Sequence, residues 1–264
     1  MSDAQSGADR GTAGYLHSRG HLDESNVPPA RSLATAPRAP QVIQILERAE
    51  VPSQRSAISA ALWSFEALCA RWFLTRHPEQ LPKRLNLGCG RCLAKGWTNA
   101  DFATLRWSLV QRHPPSDWNM DATRRWRCDD NYFEAIHCEH VLEHFPYAVA
   151  VGVLRECLRT LKHEGILRVI LPDLRRFLRY YDGTLTGPQF QKFGLGPVAI
   201  SKLTQCDRHL SVWDGPMLCS VLQELGFSDV TEVSFMVTRM KEPCIDNPIR
   251  EWESLYVEAV KRHK

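Results

Sequence analysis

The spacing of apolar positions along this chain changes period several times, and each change marks an element. From Val42 the period is helical: Val42, Ile45 and Leu46 form one run, Pro52 interrupts it, and Ile58, Leu62, Phe65, Leu68, Cys69 and Phe73 follow at three- and four-residue spacing. One or two amphipathic helices are expected before about His77. Beyond them, short apolar runs bounded by turn residues alternate with helical runs. Strands are expected at about 84–88, 98–101, 117–121, 133–138 and 165–171, and helices at about 103–112, 147–161, 173–181 and 214–225. Lys162-His163-Glu164-Gly165 reads as a helix-to-strand turn ahead of the last of those strands. Alternation of this kind argues for a mostly parallel sheet covered on both faces. Two further strands, near 230–235 and 255–260, are separated by a polar loop without a crossover helix and are expected to pair antiparallel at the sheet edge.

Two segments do not follow the alternation. Residues 1–40 are rich in Ser, Gly, Ala, Pro and charge, so they bury too little apolar surface to offset their ordering entropy and read as a flexible tail. Residues from about 183 to 213 contain Gly187-Pro188 and Gly194-Leu195-Gly196-Pro197, which suggests a functional loop or an insertion with small helices of its own. The expected organisation is therefore a tail (1–40), a helical extension (41–80) and one α/β domain (81–264) with an insertion at about 183–213.

Composition narrows the function classes without naming one. The 264 residues are 44% hydrophobic and 24% charged, enough for a sizeable core, and the formal net charge is only +3. Arg124-Arg125-Trp126-Arg127 and Arg175-Arg176 are too sparse for a nucleic-acid footprint, so no nucleic-acid partner is expected. The nine cysteines are odd in number and lack a framework spacing, which points to reduced thiols. Cys89-Gly90-Arg91-Cys92 imitates a metal or redox pair, but no second pair stands at zinc spacing. No apolar run approaches the roughly 18 residues of a membrane span. Met1-Ser2-Asp3-Ala4-Gln5 lacks the basic start and apolar core of a signal peptide, so a cytoplasmic protein without a membrane partner is expected.

The chemistry is carried by two neighbouring segments. Arg84-Leu85-Asn86-Leu87-Gly88-Cys89-Gly90 is an apolar strand running into a two-glycine turn, and Gly96-Trp97-Thr98-Asn99-Ala100-Asp101 is a second strand ending on a carboxylate. Glycines at such a turn let the backbone approach a ligand closely, and a carboxylate at the end of the next strand can accept hydrogen bonds from a ribose. The arrangement is that of a nucleoside site.

Together with His140-Val141-Leu142-Glu143-His144, Pro172-Asp173-Leu174 and Ser254-Leu255-Tyr256-Val257-Glu258-Ala259, these segments resemble the class I S-adenosylmethionine-dependent methyltransferases, in particular a type 11-like bacterial branch. The resemblance runs from residue 84 to about 261. It implies a Rossmann-like sheet of seven mostly parallel strands with an antiparallel edge strand, flanked by helices, and S-adenosylmethionine as the cofactor. By the same resemblance Leu87, Gly88, Cys89 and Gly90 lie under the methionine part of the cofactor and Asp101 accepts the ribose hydroxyls. Asp121 and Ala122 lie beside the adenine, and Glu139 stands in the turn where the reactive methyl group faces the acceptor. Two positions depart from the family pattern. Cys92 replaces its third glycine, which leaves open how the first helix approaches the loop and leaves Arg91 able to lie near the carboxylate end of the cofactor, and His163-Glu164-Gly165 replaces a Pro-Gly-Gly turn.

Methyl transfer from a sulfonium is an in-line displacement whose leaving group is already activated, so the protein aligns the acceptor and, for a hydroxyl, removes a proton. His140, His144, His209 and Asp173 are the candidates for that step. The branch implies a small polar acceptor such as a saccharide or a secondary metabolite, covered by the helices of 41–77 and the segment 183–213. His140 to His144 also fits the HxxEH pattern of a zinc peptidase. It follows a buried strand directly, however, and the resemblance already accounts for it, so no metal site is expected. A noncatalytic module that keeps the fold is the main alternative, and its mark would be loss of the acidic residue at 101, which is present. A nicotinamide-dependent oxidoreductase is disfavoured because Leu93 stands where the third glycine of GxGxxG would be.

Overall fold

Seven strands form a single sheet, and the reason each forms is visible in its burial. In chain order they are β1 (Arg84–Leu87), β2 (Thr98–Asp101), β3 (Trp118–Asn119), β4 (Phe133–Glu139), β5 (Leu161–Pro172), β6 (Ser228–Val233) and β7 (Ser254–Val260). The computed structural model describes residues 42–48, 74–77, 79–102, 116–205, 208–241 and 243–262, all within one compact unit that begins at Pro37. The tail 1–40, the apolar run 58–73 and the expected helix at 103–112 lie outside the described residues.

The sheet order is β3-β2-β1-β4-β5-β7-β6. Strands β1 to β5 pair in parallel, whereas β7 is antiparallel to both β5 and β6, so the expected edge pair is present. Leu85, Leu87, Ile136, Cys138, Leu167 and Val169 are all fully or almost fully buried, the double-sided burial that a parallel sheet between helices requires. Strand order reverses between β1 and β4. In open α/β sheets the crevice at such a reversal, beyond the carboxyl ends of the strands, is where ligands bind.

The flanking helices are α1 (Val42–Arg48), α2 (Tyr147–Thr160), α3 (Leu174–Tyr181), α4 (Pro188–Gln191), α5 (Gly196–Gln205) and α6 (Gly215–Leu225). Helix α2 buries Ala150, Val151, Val153, Leu154 and Cys157 against the sheet. Helix α6 begins where the Asp214 carboxylate accepts the Met217 N–H at 2.9 Å and ends at Gly226, whose φ of 102° only glycine adopts without strain. Helix α1 joins the main core through Leu46, and its first amides donate to the Glu224 carboxylate at 3.2 and 3.1 Å. It packs against α2 and α6, so the described part of the extension supports the flank of the sheet.

Three boundaries differ from those the sequence suggests. The turn expected at Lys162–Gly165 lies within β5: Phe133 pairs with Leu161 but Ala135 pairs with Ile166, so the extra residues bulge out, with Glu164 at φ 61°. Gly165 is required there, because a Cβ would come within 2.8 Å of the Leu161 side chain and 2.9 Å of the Lys162 carbonyl. Strand β3 is only Trp118–Asn119, because the Asp121 carboxylate turns the chain by accepting the Thr123 N–H at 3.0 Å and its hydroxyl at 2.6 Å. Strand β6 starts directly after α6 and ends at Val233, earlier than the expected 230–235. The segment 183–213 does carry helices of its own, α4 and α5, which bury Phe190, Ala199 and Leu203 against Phe177 of α3.

One buried ionic network stitches the antiparallel edge together. Arg168 of β5 is fully buried and donates Nε and Nη2 to Asp246 at 2.8 and 2.6 Å, and Nη1 to Glu258 of β7 at 2.9 Å. Its remaining donors reach the Val237 and Ser234 carbonyls at 2.8 and 3.2 Å. Thr238 Oγ1 and the Arg239 amide also donate to Glu258, and the Met236 amide to Asp246. The loop between β6 and β7 is thereby fixed against the sheet.

Candidate functional site

The turn after β1 is folded by the residues around it. The amides of Gly88 and Cys89 both donate to the Ala100 carbonyl, at 2.8 and 3.1 Å, and the Gly90 amide donates to Asp101 Oδ2 at 2.7 Å. Gly88 and Gly90 have φ of 67° and 52°, in the left-handed region. Their surroundings are opposite. A Cβ at Gly88 would come within 2.3 Å of Val141 Cγ2, whereas one at Gly90 would meet nothing within 4 Å among the described residues. Gly88 is thus demanded by the packing of the turn after β4, and open space lies over Gly90.

Asp101 ends β2 beside that space. Oδ2 holds the Gly90 amide and Oδ1 the Phe102 amide at 2.7 Å. Each carboxylate oxygen keeps a second lone pair, so hydroxyl donors can still be accepted. An adjacent polar network holds the loop that follows. Asn86 Nδ2 donates to Asn99 Oδ1 at 3.0 Å and to the Cys92 carbonyl at 2.9 Å, while Asn99 Oδ1 accepts the Ala94 amide at 2.7 Å and Asn99 Nδ2 donates to Asp117 at 2.8 Å. The sequence reading passed over these side chains, although an asparagine within each of two short apolar strands was the available signal.

The remaining expected positions fall at the carboxyl edge with differing freedom. Leu87 is buried in the core, and Cys89 is buried with its thiol pushed up to about 12 by burial and by the carboxylates of Asp101 and Asp117. A thiol so hard to ionise is a poor nucleophile. Asp121 is turned inward to Thr123, lies 3.4 Å from Arg124 and helps line a cavity of about 400 Å³. The Ala122 carbonyl is taken by Trp126 Nε1 at 3.1 Å. Glu139, at the end of β4, accepts the Asn247 amide on both oxygens at 3.2 Å and meets His137 Nε2 at 3.3 Å.

The four candidates for proton transfer separate into two pairs. His140 is buried and engaged on both ring nitrogens, with Nε2 2.8 Å from Ser254 Oγ and Nδ1 3.1 Å from Glu143 Oε1. Asp173 caps α3 by accepting the Arg175 amide at 3.0 Å, and Arg175 and Arg176 stand 3.6 and 3.9 Å from its carboxylate. Burial nevertheless raises its affinity for a proton. It lines a cavity of about 680 Å³ together with Arg179, Glu232 and Tyr256. His144 and His209, sixty-five residues apart in numbering, instead face each other with ring centroids 5.2 Å apart. The contact exists because the Glu143 carbonyl accepts the amides of Leu210 and Ser211 at 2.7 and 3.1 Å, tying the end of the insertion to the single 3-10 turn Leu142–His144 after β4. Burial lowers the proton affinity of the His144 ring, against the pull of Glu143.

Residues 85–169 match the family model described as a methyltransferase domain. This stretch, about a third of the chain, is similar to methyltransferase domains. It takes in the glycine turn, Asp101, Asp121, Glu139 and the turn through His144, and leaves the insertion and the β6–β7 edge outside the match. No curated protein matches the chain in sequence. Among solved structures, the chain is similar to an S-adenosylmethionine-dependent methyltransferase from Archaeoglobus fulgidus at 15% identity, covering 75% of this chain and 94% of that one with a TM-score of 0.43. A methyltransferase of the same cofactor class from Thermotoga maritima is 14% identical over 75% of this chain and 89% of its own, with a TM-score of 0.44. A protein from Bordetella parapertussis is 14% identical over 85% and 79% of the two chains, with a TM-score of 0.45. Likeness at this level has no bearing on the acceptor. Among the described residues, no helix is long and apolar enough to cross a membrane.

S-adenosylmethionine, the expected cofactor, fits what this region presents. The open space over Gly90 and the lone pairs of Asp101 beside it suit a ligand that offers a diol next to a chain lying on the backbone.

Proposed function

We propose that the chain transfers a methyl group from S-adenosylmethionine to a small polar acceptor, of which a saccharide or a secondary metabolite is the class the branch suggests. The observation that carries this reading is the Gly88–Gly90 turn bonded to Asp101 at the strand-order reversal, with open space above Gly90. In this reading Asp101 orients the ribose, the backbone of Leu87 to Gly90 supports the methionine part, and Asp121 and Ala122 border the adenine. Glu139 holds Asn247 and so fixes the wall beyond β4.

When bound, the cofactor supplies an electrophilic methyl on a leaving group that is already charged, so no protein nucleophile is needed. The chain's part is alignment and handling of the acceptor proton. His140 is committed to Ser254 and Glu143 and Asp173 to the start of α3, so both act by holding structure. His144 and His209 are the imidazoles left to meet an acceptor, and the end of the insertion that carries His209 is tied to the turn after β4 through the Glu143 carbonyl.

Titration calorimetry with S-adenosylmethionine, S-adenosylhomocysteine and NAD tests the reading. Binding of the first two at one equivalent and silence toward NAD are expected. Silence toward the first two in folded protein overturns it. Transfer of labelled methyl to a panel of saccharides and hydroxylated metabolites then separates an enzyme from a module that only binds.

A further inference from the structure

The Glu143 carboxylate is the most unusual group among the described residues. Its residue is 1% exposed, and among the described residues its one close side-chain contact is His140 Nδ1, 3.1 Å from Oε1, while Oε2 has no partner. A buried carboxylate normally recruits several donors, because removing it from water without them is costly. Here His140 answers one oxygen, and the other is left without a partner near the His144 and His209 rings.

Those imidazoles are oriented in a particular way. The His209 Nδ1–H donates to the Leu203 carbonyl at 2.7 Å, so in the neutral ring Nε2 carries a lone pair. The His144 ring donates to the backbone carbonyl of Arg208, which likewise leaves one nitrogen free to donate electrons. An imidazole that gives one N–H to a backbone carbonyl keeps its other nitrogen available as a metal ligand. One ligand atom from each of Glu143, His144 and His209 lies within 4.8 Å of the other two. Across a tetrahedral ion with bonds of about 2.1 Å the spacing is about 3.4 Å, so side-chain rotations of roughly an ångström would close the site.

We propose that Glu143, His144 and His209 bind one divalent transition-metal ion of the zinc class at the turn after β4. Two imidazoles and one carboxylate suit such an ion and leave coordination positions open. The set differs from the HxxEH reading, which paired His140 with His144. Here His140 is diverted to Ser254 and supports Glu143 from behind, and the third ligand comes from the insertion. Binding of the ion stands apart from methyl transfer. Its role there, which does rest on the proposed function, would be to hold an oxygen of the acceptor and lower its pKa so that its proton passes to water, with His144 and His209 acting as ligands rather than as bases.

The full chain, stripped by a chelator, is titrated with Co²⁺ under a visible spectrometer and with Zn²⁺ in a calorimeter, and S-adenosylhomocysteine affinity is measured on the same samples. One equivalent of metal is expected, with ligand-field bands and no thiolate charge-transfer band despite the cysteines. His209→Ala and Glu143→Gln each weaken metal at least tenfold, the isosteric His209→Gln does the same where the alanine variant fails to fold, and His163→Ala at an exposed position changes nothing. Absence of stoichiometric metal in the parent chain, or unchanged affinity in the folded ligand variants, overturns the proposal. Metal binding without S-adenosylhomocysteine binding would instead remove the methyltransferase reading and leave the metal site in place.

Discussion

Two buried charged clusters of this molecule are built in opposite ways. Around Arg168, every described charge is answered: the guanidinium has two carboxylates and two carbonyls, and Asp246 and Glu258 each collect further donors. Around Glu143, the carboxylate is as deeply buried but has His140 as its one close side-chain partner, at 3.1 Å from Oε1, leaves Oε2 unanswered, and lies within 4.8 Å of ring nitrogens of His144 and His209. The first cluster joins β5, β7 and the loop between β6 and β7. The second lies at the carboxyl end of β4, next to the strand-order reversal. Burial of charge alone therefore does not mark a functional site; burial with bonding capacity withheld does.

The strongest way to break this contrast is to empty each cluster in turn. Arg168→Met should destabilise the fold by roughly 3 to 5 kcal/mol, since it strands Asp246 and Glu258 without their cation, as denaturant unfolding would show. A loss below about 1 kcal/mol would mean that the network is ornamental. Next in size, Gly88→Ala should destabilise by roughly 2 to 3 kcal/mol, from the left-handed φ and the collision with Val141, whereas Gly90→Ala should carry only the backbone strain of about 1 to 2 kcal/mol. In return, Gly90→Ala should weaken cofactor binding, because its methyl group enters the open space. Equal stability losses at the two glycines would contradict the distinction.

Glu143→Gln should leave stability within about 1 kcal/mol of the parent, because the penalty of burying the carboxylate opposes its attraction to His140 and His144. A loss comparable to that of Arg168→Met would place Glu143 among the structural charges. The smallest effect is expected at His77, buried against Trp118, Tyr132 and Phe133 and bonded to Thr98. Burial lowers its proton affinity below the ordinary 6.5, so the unfolded chain takes up the proton first. Its contribution is therefore complete above about pH 6.5 and is lost as pH falls through and below that value. Denaturation midpoints at pH 7.5 and 5.5 should differ less in His77→Phe than in the parent.

How much of this could be read from the sequence depended on how local the cause was. The glycine turn, Asp101 and the alternation of strands and helices depend on neighbours in the chain, and their placement followed from residue type and spacing. The bulge at Lys162–Gly165 did not, because whether those residues form a turn or a bulged strand is decided by the register of β4 against β5. Arg168 is a charge inside an apolar strand that the sequence reading passed over, and its partners lie 78 and 90 residues away, where no spacing rule reaches. The same holds at the candidate site. His140 and His144 looked like a pair by spacing, and only the fold shows His140 turned to Ser254 and His209 brought in by the backbone of Leu210 and Ser211.

The central claim is that the turn from Gly88 to Gly90 and the carboxylate of Asp101 bind the methyl donor. Calorimetric titration of S-adenosylhomocysteine into the parent chain and into Asp101→Ala, with unfolding curves confirming that both are folded, tests it most directly. The account predicts one equivalent bound by the parent and affinity at least tenfold weaker in the variant, a difference of about 1.4 kcal/mol or more. Equal affinity in the two proteins, or no binding by the folded parent, would contradict it.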